Sequence, residues 1–458
     1  MPVNSILILL ARFTRMLKPK SKFNRQYTVI ANLCKTIFFR NVFAVASGAV
    51  LAQTINMLFS PVITRLYGPE AFGIFGVYSS FVAIPMTIAA LTYPKAIVLP
   101  KEDSEAKVLV KLSLYVTLII SSLMTLIVIF FGEMILETLK IEILTPYMLL
   151  IPLTMLFNGL LQIMQQWRIR KKEFKVIAQC ETIMAFLENG AKSCTGFFSP
   201  GAAALIYIGS FGHGLHAFLL SWRDRGGSGV KEADTKTVRE RLSSIRILGK
   251  KYRDFPFFMA PEMFITAVSS SLPILMLTIF FGPAAAGFYG IGNRVLALPA
   301  QVIGRAVGDV FYPRITEAAY NKENISVMLK KSAFIMAVVG LLPFGIIVVW
   351  GPWLFGFVFG EAWVQAGQYA RWMALWNYFM FINNPISRVV PVLSAQKFYL
   401  LFTIMNTIVR AMMLAVGGYL FKSDQIAIML YSLAGMSAHI VLFIVVIRMS
   451  NTYMQKNL

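Results

Sequence analysis

The sequence predicts an all-α polytopic membrane protein of about twelve transmembrane helices, arranged as two parallel-repeat lobes of six. Three observations predict this: apolar residues gathered into long runs, an internal repeat at about half the chain's length, and basic residues confined to one side. The 458 residues are 57% hydrophobic and 14% charged, with a mean hydropathy of +0.67. A soluble domain carries about 25% charged residues. Runs such as 112–131, 272–281 and 440–447 are almost wholly apolar, and about 20 such residues cross a bilayer as a helix.

The repeat is the most specific of the three. Residues 66–85 read LYGPEAFGIFGVYSSFVAIP and residues 280–299 read FFGPAAAGFYGIGNRVLALP. At a constant offset of 214 they share Gly68/Gly282, Pro69/Pro283, Ala71/Ala285, Gly73/Gly287, Gly76/Gly290, Ala83/Ala297 and Pro85/Pro299, which is 7 identities in 20. Gly and Pro dictate backbone shape and do more than fill apolar space. A duplicated membrane-spanning half is a common plan among transporters.

The predicted spans lie near 41–64, 73–93, 108–131, 143–163, 176–198 and 202–222, then 257–281, 287–312, 332–353, 366–392, 398–420 and 426–447. Between the two sets, 223–254 is the longest polar stretch, with GGSG at 226–229 and an amphipathic basic run at 238–251; by composition it is a linker. The domain organisation is therefore a basic extension (1–40), an N-lobe (41–222), the linker (223–254), a C-lobe (255–450) and a short tail (451–458). The extension holds eight Lys/Arg and no acid, so its first turns suit a membrane surface; an over-extended start is the alternative.

Net charge is +22 and the pI about 9.9. With the N-terminus in the cytoplasm, 36 Lys/Arg fall on cytoplasmic segments and three, Arg65, Lys140 and Lys422, on the other side. That asymmetry follows the positive-inside rule, places both termini in the cytoplasm and argues against nucleic acid as the partner of the basic charge. An even number of spans between the repeats gives the lobes the same orientation. Trp167 and Trp222 at inner ends, and Trp350, Trp353 and Trp363 near an outer end, suit interfacial belts. Cys34, Cys180 and Cys194 have neither disulfide-framework nor zinc spacing, and no metal or cofactor is expected. The chain has no nucleotide-binding Gly-rich loop with Lys-Ser/Thr, no His-Glu-x-x-His and no sizeable outer loop. An enzyme is therefore not expected, and any transport would draw on an ion gradient or on the substrate's own gradient.

Four basic residues fall inside predicted spans: Lys192, Arg294, Arg371 and Arg410. Each costs at least about 2.5–3.5 kcal/mol at mid-membrane unless paired or hydrated, so they are paired, snorkelling or facing a cavity. Arg294 stands where the first repeat copy has Ser80, so one lobe has a charge that the other lacks. Glu181, Glu188 and Lys192 form a stripe along one helix face; a cavity wall with an ion-coupling acid and a neutralised ion pair between helices both fit it. Glu262 and Asp309 are further acids in the spans, equally suited to ion coupling or to helix capping. His213 and His216 titrate near neutrality when exposed and also suit helix packing. Gln53, Asn56, Gln162, Gln165, Asn377, Asn383 and Asn384, with Tyr78, Tyr289, Trp372, Trp376 and Tyr378, are the polar and aromatic groups available to a sugar or to helix–helix contacts. Pro85, Pro273, Pro299, Pro343 and Pro385 interrupt spans, which fits helices that bend in use or static kinks. RLYGPEAFG at 65–73 is expected to form a tight outer turn stabilised by Arg65 and Glu70.

TRLYGPEAFGIFGVYSS at 64–80, AIVLPKEDSEA at 96–106, KYRDFPFF at 251–258, SLPILML at 271–277 and RVLALPAQVIG at 294–304 resemble bacterial polysaccharide biosynthesis transporters. These are the O-antigen and exopolysaccharide flippases of the multidrug/oligosaccharidyl-lipid/polysaccharide exporter superfamily. The resemblance covers roughly residues 40–450. It implies two six-helix lobes around a central cavity, and movement of an undecaprenyl-diphosphate-linked oligosaccharide across the bacterial inner membrane. It also implies glycosyltransferases and a polymerase as neighbours. A lipid-linked sugar needs a wet passage, because each unpaired polar group costs about 2–7 kcal/mol in hydrocarbon; its diphosphate needs cations, for which Lys192, Arg294, Arg371 and Arg410 are the candidates. A drug exporter of the same superfamily is the alternative, and a membrane oligosaccharide polymerase a more distant one.

Overall fold

The computed structural model of the chain describes residues 38–222, 238–300, 323–390 and 395–457, together with 315, 317, 318 and 393. Residues 1–37 of the predicted extension, the GGSG stretch, the second half of the eighth predicted span and Asp309 lie outside the described residues. The N-lobe comprises α1 (Phe38–Met86), α2 (Asp103–Thr138), α3 (Leu150–Arg170), α4 (Phe174–Phe198) and α5 (Ala202–Trp222). The linker contributes α6 (Val238–Lys251). The C-lobe comprises α7 (Ala260–Phe281), α8 (Pro283–Pro299), α9 (Ile325–Phe359), α10 (Val364–Ile382), the short α11 (Asn384–Val389), α12 (Gln396–Val416) and α13 (Asp424–Asn457). Regular secondary structure among the described residues is helical throughout.

The first two predicted spans form α1, divided by a corner at Gly68, with φ 70° and ψ 173°. The repeat-equivalent Gly282 has φ 85° and ψ 175° and divides α7 from α8. Positive φ of this kind is costly for any residue with a Cβ. In both copies a proline follows, where a helix start needs no N–H donor. The same Gly-Pro pair therefore makes the same corner twice. The tight turn expected at 65–73 is this corner at Gly68, and Arg65 is turned away from it. Arg65 reaches instead into the C-lobe, where Nη2 donates to the Phe357 carbonyl at 2.7 Å.

Among the described residues, six helical segments are long and apolar enough to span a membrane by length and composition: α2, α5, α7 with the turn before it, α9, α12 with the turn after it, and α13. The remaining predicted spans, the two halves of α1 with α3, α4, α8 and α10, have more polar residues. They are packed centrally: α1 lies against α4 and α8, and α10 against α9, α8 and α13. Side chains buried in these contacts are shielded from lipid, which would otherwise penalise polar ones.

Each lobe has its own core. Val77, Tyr78, Ile151, Leu205 and Ile206 are buried in the N-lobe. Tyr289, Phe344, Phe355, Tyr369 and Phe381 are buried in the C-lobe. The cores meet along α1 and α8, where Phe72 packs into the C-lobe cluster and Ala286 into the N-lobe cluster. At the opposite end, α6 docks on the N-lobe: Leu248 is buried with Tyr93, Ala96, Leu109 and Trp167. The Tyr93 hydroxyl donates to the Gly249 carbonyl at 3.2 Å, and Thr92 Oγ1 to Phe255 at 2.9 Å. Lys251 pairs with Glu105 at 3.1 Å, and this hydrogen bond raises the lysine's pKa.

Two tryptophans depart from the belt assignment. Trp363 is 1% exposed and Trp167 7%; both are core residues. Trp222, Trp350 and Trp353 are exposed, as a belt requires.

Candidate functional site

The two lobes touch most closely where the repeats face each other. A Cβ at Gly73 would overlap the carbonyl of Pro283, and a Cβ at Gly287 would overlap that of Pro69 while lying 3.0 Å from the Gly73 nitrogen. The contact is reciprocal: each copy places its second conserved-in-both-copies glycine on the first turn of the other copy's helix. Around it, Trp363 Nε1 donates to the Thr64 carbonyl at 3.0 Å. The Trp363 ring stands edge-on to Phe72 and Phe288, with centroids 5.4 Å and 6.1 Å away. A Cβ added at Gly360, which has φ 109°, would lie 3.3 Å from Arg65 Cγ. Helical backbones, an indole and a guanidinium thus close this end of the molecule.

Beside this seam lies a charged group drawn from both lobes. On α4, Glu188 and Lys192 are one turn apart and paired at 3.4 Å. Glu188 lies against Gly212 of α5, where a Cβ would overlap its carboxylate. Lys192 Nζ stands 5.7 Å from the centroid of Phe75 on α1. The turn that holds Lys192 is pinned to α1, since the Tyr67 hydroxyl donates to the Lys192 carbonyl at 2.8 Å and shares a hydrogen bond with Thr195 at 2.7 Å. Arg294 of α8 interacts electrostatically with both Lys192 and Glu188, and His213 of α5 interacts with the same pair. Arg294 is exposed to solvent while interacting with Lys192 of the other lobe, so solvent reaches a recess between the lobes at this place. The group has two cations and one acid, so it bears a net positive charge with His213 neutral.

The other sequence candidates are dispersed. Arg371 is exposed, and its Nε donates to the Val348 carbonyl at 2.8 Å. Pro352 lies four residues beyond Val348 in α9 and has no N–H to offer that carbonyl, so Arg371 supplies the missing donor. Arg410 lies within the C-lobe between Trp376 and Tyr431. Glu181 is half-buried on α4, two turns before Glu188, and Glu262 is exposed in the first turn of α7, where a carboxylate is favoured by the helix dipole. Five of the twelve candidate sugar partners are turned into the lobes. Tyr78 hydrogen-bonds Thr154 and Ser210, Asn383 bonds His439, and Asn377, Tyr289 and Trp376 are buried. No group of three or more metal-binding side chains is present among the described residues.

Sequence reasoning missed the Arg65–Phe357 and Trp363–Thr64 contacts, which join residues almost 300 positions apart. A partial signal was available. Gly73/Gly287 and Gly76/Gly290 recur in both copies although none of them needs positive φ, but only the first pair makes a close backbone approach.

Helical corners made twice and a charged group shared between the lobes define a two-lobed helical membrane-protein fold. The fold is that of the multidrug and flippase transporters. An inward-facing multidrug resistance MATE family transporter of the MOP superfamily matches with a TM-score of 0.70 and 13% identity, over 88% of this chain and 96% of that one. The lipid II flippase MurJ, in an inward closed conformation, matches with a TM-score of 0.66 and 12% identity, over 90% of each chain. A MATE transporter in complex with MaD3S matches at 0.55 and 14%, over 91% of this chain and 96% of that one. No curated protein matches in sequence. Residues 62–368 match the model of the polysaccharide biosynthesis protein family. The chain belongs to that family.

Proposed function

We propose that this protein is a flippase that carries undecaprenyl-diphosphate-linked oligosaccharide from the cytoplasmic to the outer leaflet of the bacterial inner membrane, by alternating access, for surface polysaccharide synthesis. The observation that carries the reading is the cationic surplus of the Lys192–Glu188–Arg294 group, in a chain of the polysaccharide biosynthesis family. A diphosphate is anionic and favours hydrogen-bonded cations. Lys192 belongs to the N-lobe and Arg294 to the C-lobe, so rocking of the lobes changes how both engage one head group. A small cationic drug, the alternative cargo, would call for an excess of acids at this place.

In this reading the Gly68/Gly282 end faces outward and both termini are cytoplasmic. Glycosyltransferases that build the substrate and a polymerase that consumes it act on either side of this step. Lys192 and Arg294 bind the diphosphate; Glu188 tunes that charge and is the coupling candidate nearest the site. Arg371, Arg410, Glu181 and Glu262 stand apart from the group. The test is complementation of a flippase-null strain with Lys192→Gln and Arg294→Gln, with protein levels confirmed by blot. Loss of surface polysaccharide in both is expected; full restoration by both removes them from the mechanism.

A further inference from the structure

The corner at Gly68 is gripped from both lobes. The Thr64 carbonyl accepts from Trp363 Nε1 at 3.0 Å, and Arg65 donates to the Phe357 carbonyl at 2.7 Å. The Pro69 carbonyl sits where a Cβ at Gly287 would be. These three contacts all come from the C-lobe. A fourth runs to α4 of the N-lobe: the Tyr67 hydroxyl donates to the Lys192 carbonyl at 2.8 Å and shares a hydrogen bond with Thr195 at 2.7 Å. The C-lobe thus holds the chain on both sides of the one residue that holds the Lys192 turn.

Tyr67 has little room to move without moving its neighbours. It is 5% exposed. Its ring lies against Gly196 of α4, where a Cβ would stand 2.7 Å from Tyr67 Cε2. Tyr67 is edge-on to Phe72 at 6.5 Å, and Phe72 is edge-on to Trp363 at 5.4 Å. Direct contacts therefore run from Trp363 through Phe72 and Tyr67 to Lys192, and a close-packed interior transmits a displacement. Neither the corner nor the helix requires the hydroxyl. At the repeat offset of 214, Tyr67 corresponds to Phe281, so the second copy makes the same corner beside a ring without one. The Lys192 carbonyl lies within α4 and already belongs to that helix's hydrogen-bond ladder. The hydroxyl is an addition, made in the lobe that carries Lys192.

We infer that Tyr67 is a positioning residue whose hydroxyl ties the Lys192 turn to the seam, so that parting of the lobes displaces the cation on α4. The inference rests on the proposed function in taking the lobes to part at the seam and Lys192 to meet the cargo. With the lobes together, the C-lobe fixes the corner, and Tyr67 fixes the backbone beneath Lys192 where the side chain faces Arg294. When the C-lobe withdraws, Thr64, Arg65 and Pro69 lose their partners at once. The corner then relaxes, and Tyr67 draws the Lys192 turn with it. Such coupling is reciprocal, so an anion held at Lys192 biases the seam in return. Contact alone is not coupling; the response of α4 to a push on the corner is.

The test reads a distance inside the N-lobe. Full-length protein with Cys34→Ala, Cys180→Ala and Cys194→Ala is spin-labelled through Thr138→Cys on α2 and Phe198→Cys on α4, both at exposed positions, and placed in lipid nanodiscs. Gly287→Ala, a substitution in the C-lobe, pushes on Pro69, two residues from Tyr67. By double electron–electron resonance it is expected to shift the label-to-label distance by about 1–2 Å, the scale of helix shifts in switching transitions. Tyr67→Phe keeps the ring and removes only the hydroxyl, and in that background the shift is expected to vanish. Thr195→Val leaves the bond to the Lys192 carbonyl and is expected to preserve it. An unchanged distance in Gly287→Ala with Tyr67 intact overturns the inference without any substitution at Tyr67. A shift that persists in Tyr67→Phe overturns it too, as does one lost in Thr195→Val, which would assign the tie to the threonine. No cargo is present in this measurement. Full restoration of surface polysaccharide by Lys192→Gln would therefore remove the cargo assignment and leave the tie standing.

Discussion

Gly73 of α1 lies so close to Pro283 of α8 that a single added carbon would overlap the proline's carbonyl. The repeat partner Gly287 stands in the same relation to Pro69. An internal duplication has thus produced a pseudo-two-fold seam in which each half supplies the gap that the other half fills. The seam closes one end of the molecule next to the Lys192–Arg294 group, and several consequences of that geometry can be measured.

Gly73→Ala and Gly287→Ala should each hold the seam apart. Transport, scored as surface polysaccharide in a complemented null strain, is expected to fall at least about tenfold, the effect of roughly 1.4 kcal/mol on the balance between closed and open states. Gly290→Ala is the control, because nothing lies within 4 Å of a Cβ there. Cysteines introduced near the seam should label faster in the two seam variants than in the control.

Gly68→Ala and Gly282→Ala test the corners. Both glycines have positive φ and open space around the missing Cβ, so the cost is conformational strain alone, about 1–2 kcal/mol at each site. Similar decreases in Tm are expected for the two variants, since the corners have nearly the same dihedral angles. A drop at only one of them would show that the corners are not equivalent.

Trp363→Phe keeps the ring contacts with Phe72 and Phe288 but removes the donor to the buried Thr64 carbonyl. An orphaned buried polar group costs about 1–3 kcal/mol. The expected result is a lower Tm together with a population shifted toward seam opening, read by labelling at the seam. Unchanged labelling would confine Trp363 to a packing role.

Arg371 and Pro352 should be coupled. Arg371→Gln leaves the Val348 carbonyl without its donor and is expected to lower stability. In a Pro352→Ala background the helix regains its own N–H at that place, and the same substitution should then cost about 0.5 kcal/mol or less. A double-mutant cycle by thermal melting measures the difference. Additive effects would refute the pairing.

Glu188→Gln removes the acid paired with Lys192 and adds one unit of positive charge to the recess. If Glu188 is the coupling acid, the pH dependence of transport in vesicles changes shape. An unaltered profile would leave it as a helix-to-helix ion pair. Protein levels separate either outcome from misfolding.

Much of this molecule was legible in its residues because the governing physics is local. Long apolar runs demand helices in lipid, the Lys/Arg asymmetry orders the spans, and Gly68-Pro69 and Gly282-Pro283 set corner dihedrals whatever lies around them. The cost of isolated charge in a membrane also singled out Lys192, Arg294, Arg371 and Arg410 before any coordinates were known. What each cation does was not local. The four look alike in sequence, yet one is paired within its own helix, one faces that pair from the other lobe, one replaces an N–H that a proline lacks, and one lies against two perpendicular aromatic rings. Trp363 was indistinguishable from Trp350 and Trp353 along the chain, but its indole faces a carbonyl 299 residues away. Periodicity and backbone preference are properties of neighbouring residues, and they determined the helices, the duplication and the corners. Partners hundreds of positions apart are chosen by how whole helices pack, so only the tertiary structure decided which groups form the seam, which share the recess and which remain without a counter-ion.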